Sequence, residues 1–266
     1  MTKNIGFIPE LIINHLNENG IENINSLPSS DDATLDDIIS YCQSKNKNID
    51  SVFLKKIIYE AVSTGYDKRY LSTIYDNNVR NYQDNIFQNT FLSILKKLKI
   101  NKIYNELEVI VVGVGNGIEG ELLYSKIKKL TITDIAPLSL SRAYELLPHS
   151  NALKIDASNM RELKDSFYDL YISLRTYQST YFNITQSLKE AKRLLNSSGH
   201  IILSIACGYI NEDKYSFGLF NPHNKQLEEA RPEYFVKKIQ DTLNQLKFKN
   251  IGNVSTPSEI FIYAKT

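Results

Sequence analysis

The chain has 266 residues, of which 42% are hydrophobic and 23% charged, with Lys+Arg 31 against Asp+Glu 30 and a formal net charge of +1. That composition excludes collagen-like, mucin-like and grossly disordered chains, and the length suits one large domain or a domain with an appendage. The balanced charge supplies no general attraction to nucleic acid or acidic lipid.

Residues 1–105 are polar and rich in Asn and Tyr, and they read as helical. Residues 8–19 carry apolar side chains at 8, 11, 12, 13 and 16, close to a helical stripe. The turn at 27–32 leads to Thr34, a candidate N-cap for a helix over 35–43. A stronger helix is predicted over 51–63, stopped near Gly65. Another is predicted over 82–98, with Ile86, Phe87, Phe91, Ile94, Leu95 and Leu98 on one face.

From 106 onward, short β-branched runs alternate with amphipathic stretches, the pattern of an α/β domain. Strands are predicted at 108–113, 130–134, 152–156, 168–174, 201–206, 250–254 and 259–264. Helices are predicted at 139–147, 183–195 and 232–247, with Gly199 breaking the second before its strand. The short turn between the last two strands makes them antiparallel. The expectation is a seven-stranded, mostly parallel, doubly wound sheet over 106–266 behind a helical cap over 1–105.

The chemistry concentrates in Gly113-Val114-Gly115-Asn116-Gly117-Ile118-Glu119-Gly120, directly after a strand and opening a helix. Glycines allow a sharp turn and let a ligand approach the backbone closely. The run satisfies G-x-G-x-G from Gly113 and also G-x-G-x-x-G from Gly115, which is the dinucleotide fingerprint. Asp134 ends the next strand 19 residues after Gly115, where a carboxylate can accept two hydrogen bonds from ribose hydroxyls. Asp156 follows the third strand, and an N-cap role for it stays open beside a ligand role.

Cys42 and Cys207 are too few for a disulfide framework, and there is no CxxC pair. The four histidines show no i, i+4 spacing, so no metal is expected. No run of about 18 apolar residues appears. Without a basic, apolar, small-residue leader, a cytoplasmic protein without a membrane span is expected.

The order of segments 109–117, 131–136, 152–158, 169–175 and 188–205 resembles the class I S-adenosylmethionine-dependent methyltransferases, and the run 187–202 is especially like that family's helix, glycine turn and fifth strand. The resemblance implies strand order 3-2-1-4-5-7-6 with an antiparallel last strand, S-adenosylmethionine as cofactor and S-adenosylhomocysteine as product. It implies that Gly113, Val114, Gly115 and Gly117 lie under the methionine part. By the same resemblance Asp134 holds the ribose, Ile135 packs on the adenine, and Asp156 with Ala157 faces the adenine amino group. Ser173 and Leu174 would line the methionine side. The family often carries an acid two residues before the first glycine, where this chain has Val111; Glu119, near the turn, is the candidate substitute.

Methyl transfer from a sulfonium is an in-line displacement, for which a protein supplies alignment and exclusion of water. Two segments are expected to reach the methyl group. The loop after the fourth strand offers Tyr177 and Tyr181 as catalytic candidates and Arg175 and Gln178 for a polar or anionic acceptor. The segment 207–231 is long for a connector and contains His223, the histidine nominated as a base. Tyr75, Arg80 and Tyr82 are further candidates for acceptor binding. The expected acceptor is a small molecule or a peptide; nucleic acid is disfavoured, because the loop lacks an Asn/Asp-Pro-Pro-Tyr run and a Pro-Cys pair. A nicotinamide-dependent oxidoreductase and a non-catalytic binding protein of the same fold are the alternatives.

Overall fold

A computed structural model of the protein describes residues 8–28, 33–70, 85–100, 105–115, 117–179, 181–211, 214–217, 219–221, 226–228 and 232–266. The first three helices are α1 (Ile8–Glu18), α2 (Leu35–Lys45) and α3 (Ser51–Tyr70). Thr34 caps α2 as its side chain predicts: its hydroxyl accepts from the Asp37 backbone N–H at 3.3 Å while Asp37 accepts from Thr34 N–H at 2.8 Å. The helix expected to stop near Gly65 instead runs on to Tyr70. A Cβ at Gly65 would stand 3.0 Å from Ile8 Cγ1 and 3.1 Å from Leu11 Cδ1, so this glycine lets α1 lie close against α3 rather than ending it.

The rest of the chain alternates strands and helices: α4 (Asn85–Lys97), β1 (Glu108–Val112), α5 (Ile118–Leu123), β2 (Lys129–Asp134), α6 (Pro137–Leu146), β3 (Asn151–Lys154), β4 (Tyr168–Leu174), α7 (Ile184–Leu194) and β5 (Leu195–Ala206). Short strands β6 (Gly208–Asn211), β7 (Lys214–Phe217), β8 (Leu219–Asn221) and β9 (Gln226–Glu228) follow. Then come α8 (Pro232–Gln245), β10 (Lys249–Ser255) and β11 (Glu259–Lys265).

Seven strands form one sheet in the order β10-β11-β5-β4-β1-β2-β3. β1 through β5 pair in parallel, and β11 runs antiparallel to both β5 and β10. Counting only strands of this sheet, that is the expected 3-2-1-4-5-7-6 order. Alternation along β1 serves both faces: Val109 and Val111 join the core beneath α4, α5 and α6, while Ile110 and Val112 join the core beneath α7 and α8. Although α4 precedes the expected boundary at 105, it belongs to the sheet's core, with the ring of Phe87 tilted against that of Phe261 at a centroid distance of 4.9 Å. Helices α1–α3 have a core of their own, built on Ile8, Ile12, Ile38, Leu54 and Ile58 and joined by Tyr181 from the far part of the chain.

The fifth sheet strand starts earlier than predicted, directly at the end of α7. Leu195 pairs with Tyr168 before the register shifts, and Gly199 lies in the irregular stretch. In the expected aperiodic segment 207–231, β6 pairs with β7 and β8 with β9 as two antiparallel hairpins apart from the main sheet. No described helix is long and apolar enough to cross a membrane.

Candidate functional site

The crossover point of the sheet lies at β1, whose neighbours β2 and β4 lead to helices on opposite faces. Ligands of open α/β sheets bind at the carboxyl ends of strands at such a point. There the backbone turns through Gly113, Gly115 and Gly117 at φ of 71°, 57° and 73°, a region that side chains disfavour. Each glycine answers a different constraint. A Cβ on Gly113 would fall 2.2 Å from Thr176 Oγ1, and one on Gly117 would fall 2.7 Å from Ala143 Cα. Gly117 therefore serves the docking of α6, whereas Gly113 faces the strand-end cavity. Val114 is buried in the core, and Gly115 donates its N–H to Asp134 Oδ2 at 2.8 Å.

Asp134 holds the turn in place from β2. Its second oxygen accepts from the Ala136 N–H at 2.9 Å. Burial pushes its carboxyl up to about 6 against these backbone hydrogen bonds. Each carboxylate oxygen has two acceptor sites, so Asp134 retains acceptor capacity while it ties the loop.

Helix α3 roofs the same end of the sheet through three polar contacts. Ser63 Oγ donates to the Ile135 carbonyl at 2.9 Å. Asp67 accepts from the Ser139 N–H and hydroxyl, both at 2.9 Å, at the start of α6. Tyr59 donates its hydroxyl to Asp156 Oδ2 at 2.5 Å, and Asp156 Oδ1 accepts from the Ser158 N–H and hydroxyl, both at 2.8 Å. Asp156 thus does cap its turn, and also faces the roof.

Between roof and strand ends is a cavity of about 70 Å³, open to solvent. Gly113, Asp134, Ile135, Asp156 and Ala157, all expected at a cofactor site, line it. So do Tyr59, Val62 and Tyr66 of α3, Asp36 of α2, and Thr176, Tyr181 and Phe182 of the loop after β4. Among the described residues its lining has three carboxylates and no Lys, Arg or His.

The loop after β4 departs from expectation. Tyr177, nominated as catalytic, is fully buried; its hydroxyl lies 3.0 Å from Ser187 Oγ and 3.2 Å from Tyr171 Oη, and its ring packs on Phe182 at 4.9 Å. It points into the core beneath α7, and burial drives its phenol well above the usual range. Arg175, expected to meet an acceptor, grips Glu259 of β11 with Nε at 2.9 Å and Nη2 at 2.6 Å from Oε2. Gln178 accepts the Ala206 N–H at 2.6 Å and so fastens the loop to β5. Ser173 is buried with its hydroxyl donated to the Val112 carbonyl at 2.7 Å, and Leu174 packs in the opposite core, so neither side chain lines the cavity. Tyr181 does line it, but its hydroxyl is donated to the Pro28 carbonyl at 3.1 Å and burial raises its phenol strongly, which removes it as a base near neutral pH. Arg175 and Tyr181 both have φ of 59°, left-handed backbone at non-glycine positions on the two ends of this loop. Tyr75, Arg80, Tyr82 and His223 lie outside the described residues.

Residues that sequence reasoning missed are Tyr59, Val62, Asp36, Thr176 and Phe182. Tyr59 and Asp156 are 97 residues apart, and nothing in the pattern of α3 separates a cavity-facing tyrosine from an ordinary packing one.

Residues 110–203 match the family model described as a methyltransferase domain. No curated protein sequence matches the chain. Similar solved structures include magnesium protoporphyrin IX methyltransferase from Synechocystis PCC 6803 with bound SAM (20% identity over 73% of this chain and 91% of that one, TM-score 0.47). A SAM-dependent methyltransferase from Aquifex aeolicus is 16% identical over 65% of this chain and 87% of that one, with TM-score 0.46. One from Mesorhizobium loti is 12% identical over 61% and 92%, also with TM-score 0.46. The match over 110–203 is to a methyltransferase domain and takes in the glycine turn between β1 and α5, and the strand order of the sheet is the one that the resemblance to S-adenosylmethionine-dependent methyltransferases implies.

Proposed function

We propose that the protein methylates an oxygen or nitrogen atom of a small-molecule or peptide acceptor that is neutral or cationic. The observation that carries this reading is what the cavity lining holds besides Asp134 and Asp156, which the cofactor takes up: Asp36 with the rings of Tyr59, Tyr66, Tyr181 and Phe182, and no basic side chain among the described residues. Carboxylates and aromatic faces favour a cation over a carboxylate or phosphate. The guanidinium expected to meet an anion, that of Arg175, is paired with Glu259.

The residues present fit S-adenosylmethionine. Gly113 leaves the floor free of a Cβ, Asp134 keeps acceptor capacity for a ribose, and Asp156 and Ala157, which line the same cavity, would face the adenine amino group. Ile135 offers an apolar face beside them. When bound, S-adenosylmethionine supplies an activated methyl group and leaves a neutral thioether behind. The chain's own contribution is alignment: Asp134 fixes the turn through Gly115, and Tyr59 and Ser158 fix Asp156. Helices α1–α3, forming a unit with their own core, act as the acceptor-shaping roof, and Val62 and Tyr66 exclude water from the strand ends.

The test is transfer of tritiated methyl from S-adenosylmethionine to pools of amines, alcohols, carboxylates, phosphates and short peptides. Label in the amine or alcohol pools, or in basic peptides, is expected. Label confined to carboxylates and phosphates, or to nucleic acid, overturns the reading.

A further inference from the structure

Helix α6 starts without a cap of its own. Its N-cap residue is Ala136, which makes no side-chain cap, and Pro137 at its first position has no N–H to satisfy. The remaining donors of this turn go to two carboxylates from distant parts of the chain. Asp134 Oδ1 takes the Ala136 N–H at 2.9 Å. Asp67 of α3, 71 residues before Leu138, takes the Leu138 N–H on Oδ2 at 3.3 Å, and on Oδ1 the Ser139 N–H and hydroxyl, both at 2.9 Å. Leu140 then makes a bond within the helix, to the Ala136 carbonyl at 3.0 Å. Asp67 is 6% exposed and Ser139 2%, so little water reaches these bonds. The segment between β2 and α6 is thus held from two sides. Asp134 ties it to the glycine turn through Gly115, and α3 ties it to the roof through Asp67 and through Ser63, which donates to the Ile135 carbonyl at 2.9 Å. Tyr59, Ser63 and Asp67 are spaced i, i+4 and i+8 on one face of α3, and Tyr59 reaches Asp156 beyond β3. Ile135, which lines the cavity, also packs against the separate core of α1–α3.

Asp67 does not line the cavity, so it acts through that segment. Lifting α3 would strand two buried N–H groups of α6 and release the residues that carry Asp134 and Ile135 into place. Resting on the methyltransferase reading, we propose that Asp67 is a positioning residue: by capping α6 from the roof it sets the β2–α6 segment for the methyl donor and makes cofactor binding and roof docking depend on each other. Coupling of this kind is reciprocal. A cofactor that fixes Asp134 and Ile135 tightens the hold of α3. The docked α3 in turn places Tyr59, Val62 and Tyr66 over the cavity, so arrival of the methyl donor completes the acceptor pocket.

The test is calorimetry with S-adenosylhomocysteine, together with hydrogen exchange of the α3 amides with and without that ligand at saturation, on wild type, Asp67→Ala and Asp67→Asn. In wild type the ligand should slow exchange across α3 by about fivefold or more. Asp67→Ala should bind the ligand about fivefold more weakly, and the ligand should then slow α3 exchange by less than about twofold while still protecting the Gly115 amide. Asp67→Asn keeps one acceptor oxygen and should recover most of both effects. A residue that only stabilised the fold would lower the urea midpoint of Asp67→Ala and leave ligand affinity and ligand-induced protection of α3 as in wild type; that pattern overturns the proposal. A wild-type α3 whose exchange the bound ligand does not slow overturns it too, whether or not Asp67→Ala folds. If wild type does not bind S-adenosylhomocysteine, the cofactor reading itself has failed.

Discussion

Replacing Arg175 by Met tests whether that residue is an anchor or an acceptor contact. Arg175 donates through Nε to both oxygens of Glu259, at 3.1 and 2.9 Å, and through Nη2 to Oε2 at 2.6 Å. The Glu259 side chain is 0% exposed and that of Arg175 is 9% exposed, so Met would leave a carboxylate in a dry environment. Removing one partner of a buried ion pair costs about 3–5 kcal/mol. Glu259 would keep the Ser204 hydroxyl, which donates at 2.7 Å, so the lower end of the range, about 3 kcal/mol, is expected. With a urea slope of about 3 kcal/mol/M the unfolding midpoint falls by about 1 M. Arg175→Met/Glu259→Leu, which removes both charges, should recover most of that loss. The measurement is urea unfolding at pH 7 followed by circular dichroism. A midpoint unchanged in the single variant, or a double variant no more stable than the single one, refutes the reasoning and returns Arg175 to the acceptor.

Gly113→Ala places a Cβ 2.2 Å from Thr176 Oγ1 at a φ of 71°; we expect S-adenosylhomocysteine affinity to fall at least tenfold by calorimetry, with far-ultraviolet circular dichroism retained. Tyr59→Phe deletes the hydrogen bond to Asp156 and should lower stability by about 1–3 kcal/mol in urea unfolding, while Ser158 still holds the other oxygen. The pH dependence follows from Asp134, raised from 3.8 to about 6, and Glu119, raised from 4.5 to about 8. Both bind their proton more tightly folded than unfolded, so their contribution is full below about pH 4 and is lost as pH rises through about 6 and about 8. Ligand-free protein should therefore lose on the order of 3 kcal/mol between pH 5 and pH 8 on account of Glu119, measured by urea midpoints, and Glu119→Gln should flatten the slope. Identical slopes in the two proteins would contradict the assignment.

Locally encoded features were legible. β1 carries the apolar run Val109-Ile110-Val111-Val112, Thr34 and Asp37 form a capping box three residues apart, and the alternating glycines follow β1 directly. The carboxylates at the ends of β2 and β3 were legible because a doubly wound sheet places successive strand ends together. The loop after β4 was not. Arg175, Tyr177 and Gln178 are polar residues following a strand, and the sequence carries no sign that all three turn toward the protein itself. Gly65 shows the same gap: a glycine late in a helix has the composition of a stop, and only the approach of Ile8 and Leu11 shows it to be a packing contact.

What the amino-acid order determined by itself was the periodicity of each element, the turn that brings bare backbone to the end of β1, and the acids at the neighbouring strand ends. Tertiary structure decided which polar groups satisfy one another and which are left facing the cavity. Arg175 meets Glu259 across 84 residues and Tyr59 meets Asp156 across 97. Such pairs are set by strand order and by the docking of α3 on the sheet. A local pattern encodes the period of a helix or strand, not the identity of the element packed against it.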